Sequence, residues 1–148
     1  MNPLIETWQI HDRINQFMLA AILPEQLALK VERAKSVGGQ FSHLHNVRLM
    51  WLKSAAPDLL VGLSKLEDAD HPTLMQALEA SGRAISQLID QSLVSGKVKG
   101  FKPHVQAFVG YLISHESFHR AQAELTLRQL GQPLPDKIAY GMWEWGVR

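Results

Sequence analysis

Residues 115–122 read HESFHRAQ, and His115, Glu116 and His119 match the zinc-protease pattern H-E-x-x-H letter for letter. Residues four apart stand one above the other on a helix face, so the two imidazoles can converge on one cation. In a zinc-dependent protease these histidines hold the metal and the glutamate is the general base. Glu116 is rotated by about 100° from His115 round a helix, which places it on a flank or in solvent. Such proteases also hold an extended peptide against a strand, and no stretch of the chain alternates as a strand does. Glu144, in MWEW, lies far enough downstream to pose as a third ligand, but its flanking tryptophans point to packing. The protease reading is therefore set aside.

Phe108, Leu112, His115, His119 and Gln122 step by four, three, four and three residues, so the histidines share a stripe with core-facing side chains. Two stacked imidazoles on such a stripe need a partner, because burying them unpaired is costly. A metal is one partner; a carboxylate or a further histidine is another. A metal site needs at least one more ligand. His43 is the best candidate, since Gln40, His43, Val47 and Met50 form a stripe of an earlier helix. His45 points about 200° round that helix and is a surface or packing residue. His71, beside Pro72, falls in a cap or turn, and His104 at an exposed helix start. His11 faces the interior near Asn15 and is a weaker candidate for lining a pocket.

The elements that position these groups are helices. NPLIETWQIHDRINQFMLAAILP runs from Pro3 to Pro24 with Ile5, Trp8, Ile14, Phe17, Met18 and Ala21 at helical spacing. After the Gly38-Gly39 pair, FSHLHNVRLMWLKSAAP forms a second periodic run to Pro57. HPTLMQALEASGRAISQLIDQSLVSG carries the stripe Leu74, Leu78, Ile85, Leu88 and Ile89 and stops at Gly96. KPHVQAFVGYLISHESFHRAQAELTLRQLGQPLP opens with Pro103 at a first-turn position and ends with Gly131 and Pro133. The expectation is an all-α four-helix bundle forming one domain over residues 1–148. The stretch 58–70, DLLVGLSKLEDAD, is a long connection or a short extra helix and permits a crossover topology. The aromatic tail DKIAYGMWEWGVR packs back on the bundle as a short C-terminal helix.

Composition narrows the functional classes. The formal net charge of +1 draws the chain to neither nucleic acid nor an anionic membrane. With no cysteine, disulfides, thiolate metal sites and cysteine nucleophiles are excluded. The first residues carry acids and polar groups too early for a signal peptide, and no apolar run approaches the ~18 residues of a membrane span. A cytoplasmic protein is expected.

FSHLHNVRLMWL followed by LISHESFHRAQAELTLRQLGQPLP resembles the DinB/YfiT-like superfamily. Its members carry a histidine eight residues before a Trp-Leu pair, as His43 precedes Trp51-Leu52, and a later H-x-x-x-H-R-G-Q. Here His115, His119, Arg120 and Gln122 match, with Ala121 in place of the usual glycine. Asn15 also has a frequent family counterpart. The resemblance spans nearly the whole chain. It implies a DinB-like four-helix bundle, commonly a homodimer, with a divalent metal on His43, His115 and His119.

Three neutral imidazoles leave a coordination position open, as in catalytic rather than structural sites. Zinc and nickel suit imidazole best, and iron and manganese are also compatible. The resemblance includes enzymes that use low-molecular-weight thiols, among them thiol S-transferases and maleylpyruvate isomerase. A small-molecule substrate is therefore expected, with thiol transfer or hydrolysis as the reaction. The alternative is a non-catalytic dimeric bundle that binds metal or ligand. Gln122 fixes a ligand, touches substrate, or links the bundle; Asn15 and His11 are further candidates for the surroundings of the site. Arg120 binds an anionic substrate group or pairs between helices, and Glu116 and Asp12 are proton-transfer groups or solvent-facing carboxylates. Trp8, Trp51, Trp143 and Trp145 line a pocket or anchor the core and an interface.

Overall fold

The computed structural model describes residues 1–148 and is all-helical, with four long helices and no strand. Helix α1 spans Pro3–Ala21, α2 Val37–Ala55, α3 His71–Ser95 and α4 Val105–Gln129; a short α5 follows at Asp136–Gly141. Each long helix starts at a side chain that accepts from an otherwise unpaired backbone N–H. Asn2 caps α1 and Asp70 caps α3, each followed by a first-turn proline, and Ser36 caps α2. His104 caps α4, its Nδ1 accepting from the Ala107 N–H at 3.2 Å, so Pro103 lies just outside the helix rather than in its first turn. His71 does not cap α3 but opens it, its Nε2 donating to the Leu19 carbonyl at 2.8 Å and tying the start of α3 to the end of α1. Gly96 ends α3 at φ 83°, the left-handed conformation that glycine adopts without a Cβ penalty.

Two apolar clusters fill the bundle end to end. At one end Trp8, Leu49, Leu52, Ile85, Leu88, Phe108 and Leu112 pack together; at the other Ile14, Met18, Phe41, Leu44, Leu74, Leu78, Ala123 and Leu127 do. These pairings fix the directions: α2 and α3 run parallel, as do α1 and α4, and the two pairs oppose each other. Helix α3 packs between α1 and α2, while α4 closes the ring against α2 and α1. The chain is therefore up-down-down-up, and the link from α2 to α3 must return along the bundle. It does so through a short 3-10 turn, Pro57–Leu60, and an extended run to Asp70. The long connection expected at 58–70 is thus both a crossover and a short turn.

The C-terminal tail returns to α1 through α5. Ile138, Met142 and Trp145 join the second cluster, and the Arg148 guanidinium sits 3.8 Å over the Phe17 ring. Trp143 lies outside this packing and is 79% exposed. No helix is long and apolar enough to cross a membrane.

Gly82, mid-α3, lies where α1 comes closest. The Trp8 indole donates to its carbonyl at 3.0 Å, and a Cβ at this position would overlap the Asp12 carboxylate. Gly82→Ala should therefore destabilise the protein by about 1–3 kcal/mol despite alanine's better helix propensity. In an Asp12→Ala background the same change should be neutral or stabilising. Urea denaturation of the four proteins of this cycle measures the difference, and additivity of the two changes would contradict the close approach.

Candidate metal centre

His43 on α2 and His115 and His119 on α4 meet across the groove between these antiparallel helices. Their candidate ligand atoms all lie within 4.8 Å of one another. Ring centroids are 4.3 Å apart for His43 and His119, 5.2 Å for His43 and His115, and 4.7 Å for His115 and His119. All three rings are half-buried, and the stripe of α2 that carries His43 runs out to Met50 at the surface. The site is thus a groove rather than a sealed core position.

The surroundings orient the rings. His119 Nδ1 lies 2.7 Å from the Gln40 amide oxygen, which can only accept, so Nδ1 carries the proton and Nε2 keeps its lone pair. Gln40 Nε2 in turn donates to Gln122 Oε1 at 3.0 Å. Gln122 is therefore one step removed from His119, through Gln40, a residue that the sequence pattern placed on the α2 stripe without a role. Beneath the groove Tyr111 stacks on His115, 6.3 Å apart at 14°, and Trp51 packs edge-on against Tyr111 and Phe108. Phe118 covers the edge of His119 from outside. Burial and the neighbouring His43 and His115 push His119 down to about 4, and burial with His115 and Lys35 lowers His43. These two rings are neutral near neutral pH, the form that ligates a metal. The buried Nδ1 of His115 has no hydrogen-bond partner. Three nitrogen donors at this separation, with no carboxylate bonded to any of them, fit a divalent metal.

Glu116 behaves as no solvent-facing residue does. It is 1% exposed and turned from the groove toward the core, where α1 and α2 pack against α4. Arg48, fully buried on α2, grips it with two parallel bonds: Nε donates to Oε2 and Nη2 to Oε1, both at 2.8 Å. His11 Nε2 and Asn15 Nδ2 also reach Oε1, at 3.0 and 2.9 Å, and Arg120 Nη1 donates to Asn15 Oδ1 at 2.6 Å. His11 and Asn15 therefore serve Glu116, and neither is bonded to one of the three grouped histidines. Arg120 is an interhelical link from α4 to α1. Arg48 also meets Asp12 at 2.8 Å and lies 5.0 Å over the Trp8 ring. Asp12 too is buried rather than solvent-facing.

Burial alone would raise the Glu116 pKa, but the Arg48 guanidinium and the bonds from Arg48 and His11 outweigh it and hold the carboxyl at about 2. Asp12, left with the weaker share of Arg48, is raised, chiefly by burial. With both oxygens engaged on the core side, Glu116 is in no position to act as base to a molecule in the groove, as a metalloprotease glutamate would. Of the remaining histidines, His45 donates to the Ser64 carbonyl at 2.8 Å and holds the crossover on α2.

The family model described as the DinB family matches residues 1–144, and the chain belongs to that family. No curated protein matches the chain.

Removing one partner of the buried fork leaves an unpaired charge, so Glu116→Ala should cost about 3–5 kcal/mol in urea denaturation. A carboxyl whose folded pKa lies below its unfolded value of ~4.3 stabilises the fold above that value, and the contribution fades as pH falls toward the folded pKa. Wild type should lose stability between about pH 5 and 2, and Glu116→Gln should flatten this slope. Asp12 works in the opposite sense, so the comparison is between these two proteins at each pH. An identical acid slope in both would contradict the assignment.

Proposed function

We propose that this member of the DinB family is a metal-dependent enzyme that acts on a small molecule, with His43, His115 and His119 holding a divalent cation. The observation that carries this reading is the convergence of three imidazoles in a groove open to solvent, one of them fixed by Gln40 with its second nitrogen free. Zinc and nickel are the preferred occupants of an all-imidazole site, ahead of iron and manganese. When bound, the cation would supply Lewis acidity that lowers the pKa of a thiol or a water in the open position.

The protein's own groups have defined tasks. Gln40 and Gln122 hold the His119 tautomer, the kind of outer support whose loss typically weakens a metal site by about 10–100-fold. Tyr111 and Phe118 flank the histidines with apolar surface and limit water. Because Glu116 is tied to Arg48, no carboxylate bonded at the groove stands ready to take a proton from water. A free thiol, with a pKa of about 8.5 against about 15.7 for water, would need far less help to ionise and could release its proton to solvent in the open groove. Transfer of a low-molecular-weight thiol is therefore favoured over hydrolysis. The same lack of a base favours, as second reading, a bundle that binds metal or ligand without turnover.

A homodimer is the preferred assembly. Tyr111, Phe118 and Leu125 form an exposed apolar stripe along α4, the kind of face that a second copy covers.

Protein purified without a histidine tag and dialysed against zinc or nickel should carry about one equivalent of metal by elemental mass spectrometry. His43→Ala, His115→Ala and His119→Ala should each lose it while keeping wild-type helical circular dichroism. Metal retained in all three variants would contradict the site. Light scattering should give twice the chain mass for wild type and the chain mass for Phe118→Asp; a monomeric wild type would remove the dimer.

A further inference from the structure

Next to His43, on the side of α2 away from α4, lies a cavity of about 440 Å³. That volume is in the range of sites for small metabolites. Its walls are built, not incidental. The crossover forms the outer wall and is clamped by Asn46, whose Nδ2 donates to the Leu66 carbonyl at 2.9 Å and whose Oδ1 accepts from the Leu66 N–H at 2.8 Å. The opposite wall is the segment before α2, held where the Val37 and Gly38 N–H groups donate to the Leu29 and Leu27 carbonyls at 2.9 and 2.8 Å. Gly38 permits that approach: a Cβ there would lie 3.1 Å from the Leu27 carbonyl oxygen. His43 is part of the lining, so the cavity and the histidine groove share a wall.

Four charged side chains line the cavity: Lys35 from the segment before α2, and Lys65, Glu67 and Asp68 from the crossover. None of them is in a salt bridge with any group of the protein. Two cations and two anions therefore face one concave space with their charges unmatched. A ligand of one sign would leave the other pair facing it at a cost, whereas one that carries both signs can meet both. The N–H groups of Val37, Gly38 and Gly39 add no donor to the cavity, because each is already bonded within the protein.

We propose that this cavity binds the charged end of a small zwitterionic molecule of amino-acid type, its carboxylate toward Lys35 and Lys65 and its ammonium toward Glu67 and Asp68. This rests on the reading of the neighbouring histidines as the reactive site and narrows the substrate class. Of the low-molecular-weight thiols, it selects those built on an amino acid. The polar end is held in the cavity, and the reactive end reaches past His43 into the groove.

The test needs no metal. Metal-free protein labelled with nitrogen-15 is titrated with L-serine, 3-hydroxypropionate and ethanolamine, which share a hydroxyl and carry both charges, the carboxylate alone or the ammonium alone. L-serine should shift the amides of Gly38, Gly39 and Leu66 and bind at least about fivefold tighter than either analogue, the factor that one exposed ion pair can supply. Lys35→Ala/Lys65→Ala should weaken L-serine and tighten ethanolamine, whose ammonium no longer meets the two cations, so that the preference for L-serine over ethanolamine is lost. Glu67→Gln/Asp68→Asn should likewise weaken L-serine and tighten 3-hydroxypropionate. All four substituted positions are exposed, so folding is checked by the unchanged remainder of the amide spectrum. Equal binding of the three compounds, shifts elsewhere on the surface, or no shifts would overturn the proposal. Metal uptake is measured separately: histidines that take up metal beside a cavity indifferent to serine sink only the zwitterion, and a responsive cavity beside histidines that bind none sinks only the metal site.

Discussion

The bundle is organised round one buried interaction, the two-bond grip of Arg48 on Glu116. A charge with no access to water is tolerated only when its partner is fixed and its remaining hydrogen-bonding capacity is used. Arg48 meets this condition by spending its donors on Glu116, the Leu78 carbonyl and Ser81, with Asp12 alongside. Glu116 meets it with His11 and Asn15. One pair of residues thereby holds α2, α4, α1 and α3 to one register. Ridges of apolar side chains could slide past one another at small cost, whereas a planar guanidinium on a carboxylate has one satisfactory geometry.

That register is what aligns the groove. His43 lies five residues before Arg48 on α2, and His115 and His119 bracket Glu116 on α4. Fixing the core side of the two helices therefore fixes the distance between the histidines on the outer side. The division of α4 also separates Glu116 from the histidines: the glutamate that completes the protease pattern on paper is committed to the core by Arg48.

Much of this was legible in the chain. The four long helices follow from periodicity and caps, the stretch after Pro57 left room for a crossover without requiring one, and the grouping of His43 with His115 and His119 came from the α2 stripe and the family resemblance. What stayed hidden was the inside of the bundle's polar network. Glu116 sits about 100° from His115, and a helical wheel does not say whether that flank faces solvent or a third helix. The hint was on α2: Val37, Phe41, Leu44, Arg48 and Leu52 form a core stripe with one arginine in it, and a buried arginine demands a buried carboxylate. His11 and Asn15 were recognisable as interior residues, but their bond to Glu116 rather than to the groove depends on how α1 packs against α4.

The most direct test of the three-histidine site is X-ray absorption of the protein loaded with one equivalent of zinc. Three imidazole nitrogens should appear at ~2.0–2.1 Å with the outer-shell scattering typical of histidine rings, and one oxygen donor should complete the shell. A shell of oxygen donors without imidazole scattering would place the metal elsewhere and contradict the account.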